Sequence, residues 1–295
     1  MFYGENLPYI IYRYKMKISE LKTFHLQCNS GEHFEINFSW TKKEQSPLVI
    51  FLHGFKGFKD WGHYNLLDGF FHQRGISFMR MNFSHNGTSL ETPIEFSRLD
   101  LFGNNTFSKE IGDIDCLLKF IEENLSQEIN LKKINLMGHS RGGSTAIIYS
   151  SISNKINSLI TLAAVANLER MLTGFAIEKW KENGVVYTKN ARTNQDMPLN
   201  YSLYEDYYFN REKYNPLIAA NKINIPWIAF HGTADAAVPI KDLQDLILSN
   251  EKIISEFIEG ADHTFGGTHP WNFDYLPKHT EFIMEKIANF ILKNS

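Results

Sequence analysis

Apolar and polar positions change their period several times along this chain, and each change predicts an element. Residues 21–28 and 33–40 alternate over short stretches on either side of the polar turn Asn29-Ser30-Gly31-Glu32, the pattern of an antiparallel hairpin. After Pro47 the alternation stops, and Leu48-Val49-Ile50-Phe51-Leu52 is unbroken apolar, as in a strand covered on both faces. Helical spacing follows over 61–73, then an apolar strand over 76–83. Ile111, Ile114, Leu118, Ile121 and Leu125 then recur at helical intervals. Further strands are predicted over 133–137, 158–165, 226–230 and 252–258. A helix is predicted over 141–153, and a closing amphipathic one through Phe282, Ile283, Ile287, Phe290 and Ile291.

Strands alternating with helices predict an α/β architecture, a mainly parallel sheet with helices on both faces. Residues 166–225 interrupt that rhythm and far exceed the roughly 2–6 residues usual for such a connection, so they form an insertion. Its body, 168–214, holds a helical piece at 168–180 and the tyrosine-rich stretch 201–209. Rings in a polar segment serve either as a lid or binding wall, or as anchors holding the insertion to the body. No repeat or low-complexity linker is visible, so 1–295 reads as a single domain carrying this lid insertion.

Composition narrows the partners. With 30 Lys and Arg against 33 Asp and Glu, the net charge of −3 offers no basic footprint for nucleic acid. Residues 1–15 lack the basic and apolar regions of a signal peptide, and no later stretch is long and apolar enough to span a membrane. Two cysteines, Cys28 and Cys116, are too few for a disulfide framework and read as reduced thiols in a cytoplasmic protein. No paired metal-ligand motif occurs, so neither a metal nor another cofactor is expected.

The strongest chemical signal is Gly138-His139-Ser140-Arg141-Gly142, directly after an apolar strand and directly before a helix. Gly-x-Ser-x-Gly in that context needs small residues because the backbone turns sharply there and holds the serine hydroxyl at the sheet edge. A serine hydroxyl is a weak nucleophile until a base takes its proton and a carboxylate orients that base. Asp235 follows the strand over 226–230, and His263 follows the strand over 252–258. Both therefore lie at carboxyl ends, where sites in parallel sheets gather. Asp262 adjoins His263, but neighbouring side chains on a turn diverge, so Asp235 is the better orienting acid. His269 is the other candidate base, in a Gly/Pro-rich loop that suits shaping the site. His53 and His139 read as hydrogen-bonding the backbone nearby, and His231 as a satisfied core histidine.

These motifs, with His53-Gly54-Phe55 after the first buried strand, resemble the α/β-hydrolase superfamily over about residues 21–291. The resemblance implies the α/β-hydrolase fold, with Ser140 as nucleophile, His263 as general base and Asp235 as its orienting acid. It also implies an oxyanion hole made by the backbone amides of Phe55 and Arg141, the Arg141 side chain being structural. The loop Ser84-His85-Asn86-Gly87-Thr88-Ser89 resembles the family's glycine-rich loop without reproducing it. Lys56-Gly57-Phe58-Lys59-Asp60-Trp61 lacks the ending of a phosphate loop and reads as a wall of the acyl pocket. Lys56, Trp61, Tyr204, Tyr207 and Val238 are the pocket candidates.

Within the superfamily, the stretches after His53-Gly54 and around His263 resemble the group of feruloyl and cinnamoyl esterases, dienelactone-hydrolase-like proteins and prolyl oligopeptidases. The expected activity is that of a serine carboxylesterase acting on a small-molecule ester with a small or aromatic acyl group. A thioesterase or small peptidase would use the same triad, and a non-catalytic binding protein could keep the fold without turnover.

Overall fold

In the computed structural model, residues 21–27 and 31–295 are described. The readings of residues 1–15, of Cys28 and of Asn29-Ser30 in the turn between the first two strands lie outside them. Strands β1 (Leu21–Gln27) and β2 (His33–Ser39) pair antiparallel, as their alternation predicts. Next come β3 (Ser46–Leu52), α1 (Leu67–His72), β4 (Ser77–Met81), α2 (Leu99–Gly103) and α3 (Phe107–Asn124). They are followed by β5 (Ile129–His139), α4 (Arg141–Ile152) and β6 (Ser158–Leu162).

The insertion contributes α5 (Ile177–Asn183), β7 (Val185–Lys189), β8 (Asp196–Asn200), α6 (Tyr201–Phe209) and α7 (Pro216–Lys222). The chain closes with β9 (Trp227–Gly232), α8 (Lys241–Ser249), β10 (Ile254–Ile258) and α9 (Lys278–Asn294). The eight-stranded sheet runs β1-β2-β4-β3-β5-β6-β9-β10 and is parallel from β4 onward, with β1 and β2 antiparallel at one margin.

The central strands are buried on both faces, and their period of two sorts side chains into two cores. In β3, Leu48, Ile50 and Leu52 enter one core with α3 and α4, and Val49 and Phe51 enter the other with α1 and α9. The apolar stripe of α3 falls as predicted, and Thr106 caps the helix by accepting from the Lys109 amide at 3.3 Å. Two expectations need correction. The helix predicted over 61–73 is a 3-10 turn, Tyr64–Leu66, followed by the short α1, because Gly62 (φ +59°) turns the chain just before it. Phe282 lies outside the apolar face of α9 and is 49% exposed, whereas Ile283, Ile287, Phe290 and Ile291 are buried.

The insertion is held together from within by Trp180, fully buried, whose indole N–H donates to the Leu199 carbonyl at 2.8 Å. Its strands β7 and β8 form a separate antiparallel pair. Cys116, on α3, lies with its Sγ 3.8 Å from the Gln27 carbonyl at the end of β1. No helix among the described residues is long and apolar enough to cross a membrane.

Candidate active site

Ser140 sits between the end of β5 and the start of α4 with φ +55° and ψ −124°, a backbone conformation costly for a residue with a side chain. Its glycine neighbours explain how the chain passes through. A Cβ on Gly142 would stand 2.4 Å from the His53 carbonyl oxygen, and one on Gly138 would stand 2.2 Å from the Gly142 carbonyl oxygen. The helix therefore presses against the end of β3, and the loop after β3 comes close in turn. A Cβ on Gly54 would lie 3.0 Å from that of Ser140.

The three residues singled out by their places after strands meet at one end of the sheet. Ser140 Oγ lies 3.0 Å from His263 Nε2, and His263 Nδ1 donates to Asp235 Oδ2 at 2.7 Å. Asp262 is turned elsewhere, accepting from the amides of Thr264 (3.1 Å) and Gly266 (2.8 Å). The acid and base loops are stitched together, Ala234 N donating to the Ala261 carbonyl at 3.0 Å and Gly260 N to Thr233 Oγ1 at 2.8 Å. His139 Nε2 donates to the His263 carbonyl at 2.8 Å and so fixes the backbone of that residue.

Asp235 also accepts from the amides of Ala237 and Val238, each at 2.8 Å, and its Oδ2 lies 3.4 Å from His231 Nε2. Burial pushes this carboxyl up, but the hydrogen bonds from His231, His263 and Val238, with the charge on His263, outweigh it and hold Asp235 well below the usual carboxylate range. It remains ionised at neutral pH, which suits orienting a histidine. His231 thus does more than satisfy itself. It donates to the Val238 carbonyl at 2.9 Å while touching the acid, a contact hidden in the sequence because both lie in one strand-and-turn segment.

His53 and His139 are held neutral, lowered by burial to about 4 and about 3. His53 Nδ1 donates to the Gly54 carbonyl at 2.9 Å, and its Nε2 accepts from the Phe83 amide at 3.3 Å. His269 accepts from the Gly62 amide at 2.9 Å and stacks on Trp61, the loop-shaping place expected of it. The Arg141 side chain points away from the serine to a buried ion pair with Glu110 at 2.7 Å. Among the described residues, the amides of Phe55 and Arg141 donate to no protein acceptor, so both remain available.

A cavity of about 140 Å³ opens on Ser140 and His263, walled by Gly54, Phe55, Lys56, Trp61 and Tyr64. Lys56 and Trp61 thus line this cavity, and Tyr64 joins them through the 3-10 turn after Trp61. The other pocket candidates lie elsewhere. Tyr204 and Tyr207 line a separate cavity of about 490 Å³ with Leu172, Ile177 and Ile218, because α6 turns them into the insertion and onto α3, where Tyr207 meets Phe107 at 5.8 Å. Val238 is buried beside the acid, its amide and carbonyl spent on Asp235 and His231. Among the described residues, no group of three or more His, Cys, Asp or Glu could hold a metal ion.

Comparison with known proteins adds relatives to this geometry. At 24% identity over 85% of this chain and 95% of its own, it is similar to a Mycoplasma genitalium protein described as "Putative esterase/lipase 2". Est1E from Butyrivibrio proteoclasticus superposes with a TM-score of 0.69 at 18% identity, over 92% of this chain and 98% of that one, and has also been solved with ferulic acid bound. A Mycobacterium tuberculosis puromycin-hydrolyzing peptidase superposes with a TM-score of 0.64 at 15% identity, over 93% of this chain and 39% of its own. These likenesses show the α/β-hydrolase fold. The BD-FAE family model matches residues 34–249, a span that includes Ser140 and Asp235 and ends before His263. Covering most of the chain, that match makes this protein a member of the BD-FAE family.

Proposed function

We propose that this protein is a serine carboxylesterase that forms an acyl-enzyme on Ser140. The observation that carries the reading is the continuous relay Asp235–His263–Ser140, at 2.7 and 3.0 Å, ending on a strained serine that opens into a cavity. His263 takes the serine proton as Oγ attacks the ester carbonyl, then returns it to the leaving alcohol, and a water activated the same way releases the acid. The Phe55 and Arg141 amides stabilise the oxyanion, each such donor contributing about 2.7–4 kcal/mol.

A cavity of about 140 Å³ is small beside the roughly 300–1,000 Å³ of ordinary ligand pockets, which favours a small acyl group. The rings of Phe55 and Trp61 in its wall suit an aromatic one. The ferulic acid held by Est1E and the esterase/lipase description of the Mycoplasma relative support the same substrate class. The insertion over 168–214 is proposed as a cap whose β7–β8 hairpin reaches the site, within a single domain over 1–295. A cytoplasmic location is proposed with it, and fractionation of the native host tests that.

Covalent labelling with a fluorophosphonate probe, read by intact mass on the wild type and Ser140→Ala, tests the nucleophile without presuming a substrate. Labelling confined to the wild type, with turnover of methyl ferulate or short p-nitrophenyl esters, is the expected result. A wild type that neither labels nor turns over would leave a binding protein on the same fold.

A further inference from the structure

We infer that Lys56 is a positioning residue that clasps the oxyanion loop to the insertion, so that the placement of the Phe55 amide depends on the β7–β8 hairpin being docked. This rests on the esterase reading of Ser140 and extends it to a residue that does not itself meet the reacting atoms.

Lys56 directly follows Phe55, and its backbone sits at φ +55°, in the left-handed region disfavoured for any residue with a Cβ. Such a conformation persists only where its surroundings hold it. Two restraints are present. The turn closes through Gly57 N donating to the Gly54 carbonyl at 3.1 Å. The Lys56 ammonium crosses to β7, donating to Thr188 Oγ1 at 3.0 Å and to the Lys189 carbonyl at 2.6 Å.

No carboxylate among the described residues lies within ion-pair distance of this ammonium, although Lys189 on the same strand pairs with Asp196. The bonds of Lys56 go to a hydroxyl and a backbone carbonyl, acceptors whose positions are set by the hairpin. The ammonium also lies over the Phe55 ring, with Nζ 5.2 Å from the ring centroid. The hairpin grips the neighbouring loops as well: Arg192 lies over the Phe58 ring at 5.6 Å, and Gln195 donates to the Phe96 carbonyl at 3.2 Å. Of these ties, Lys56 is the one adjoining the proposed oxyanion donor.

Lys56 also borders the cavity, so an ammonium that touches substrate is the competing role, and glycine separates the two. Glycine adopts the left-handed region freely, so Lys56→Gly keeps the loop conformation without the clasp, whereas Lys56→Met keeps the strain and loses its restraint. With p-nitrophenyl butyrate, Lys56→Met is expected to lower kcat about ten- to hundredfold with less than about a threefold change in KM. Lys56→Gly should recover about tenfold over Lys56→Met, and Thr188→Val should fall between Lys56→Met and the wild type. Hydrogen exchange over 185–200 should quicken in Lys56→Met. Wild-type kcat in Lys56→Met, equal losses in the Met and Gly variants, or unchanged hairpin exchange would each overturn the clasp. A wild type without Ser140-dependent labelling overturns the esterase reading instead, and the exchange result then still decides whether the clasp exists.

Discussion

The guanidinium carbon of Arg141 lies 5.4 Å from the centre of the Phe55 ring and 4.6 Å from that of Phe107. The two residues proposed to supply the oxyanion donors are therefore packed on each other, and the guanidinium between the two rings is neutralised by Glu110, itself buried and accepting from Asn105 at 2.8 Å and Thr145 at 3.0 Å. The donor on α4 and the donor after β3 share one support, although 86 residues separate them in sequence.

Arg141→Met is expected to destabilise the protein by about 3 kcal/mol, because it strands a buried carboxylate. Adding Glu110→Gln should return part of that loss. Urea unfolding of the single and double variants, compared at equal m-value, checks both statements. A single variant within about 0.5 kcal/mol of the wild type would show that the pair carries no net strength.

Asp235→Asn removes the charge that holds His263 in its orientation, and kcat should fall by about three to four orders of magnitude. Asp262→Asn should leave kcat within about threefold, since that side chain accepts only from its own turn. Steady-state kinetics on one ester decide between them, and the opposite ranking would reassign the acid.

The buried His53 has a folded-state pKa of about 4 against an unfolded value of 6.5. Its neutral form is thus favoured by folding: the contribution, about 3 kcal/mol, is complete above pH 6.5 and is lost as pH falls toward 4. His63 and His139, both lowered to about 3, act in the same direction. Asp113, raised by burial to about 7, and Asp68, also raised by burial, oppose them, losing stability as pH rises from the unfolded carboxylate value. The informative quantity is therefore a difference. Between pH 7 and pH 5 the melting temperature of His53→Gln should fall less than that of the wild type. Parallel curves would count against a neutral buried His53.

Ser140 stores strain that its chemistry requires. Ser140→Gly should melt above Ser140→Ala, because glycine tolerates φ +55° and alanine does not, while both variants refuse the fluorophosphonate probe. The reverse order of melting would mean that the elbow is relaxed.

The sheet and the triad are legible in the sequence for one physical reason: a strand covered on both faces is written as a continuous apolar run, and each of Ser140, Asp235 and His263 follows such a run or its neighbour. The cavity wall is less legible. Lys56 and Trp61 are found because they adjoin the Phe55 loop in sequence. Thr188 and Lys189 are missed because their contact with Lys56 spans 132 and 133 residues and depends on how the insertion lies over the body. Tyr204 and Tyr207 illustrate the same difficulty, since an aromatic stretch on a polar helix does not say which side meets the protein. Asp206, between them, accepts from the Ser108 amide at 3.0 Å and helps fasten that helix to α3.

The base of the relay hangs from β10, an edge strand of the sheet, where Ile254 is 57% and Phe257 39% exposed, while the nucleophile ends β5, deep among its neighbours. Strands at a margin open at lower free energy than those in the interior. Fraying of that single margin would part the proton acceptor from the serine while both cores stay closed. Inactivation and unfolding are then distinct events, and catalytic lifetime is governed by the weakest seam of the sheet rather than by the stability of the whole.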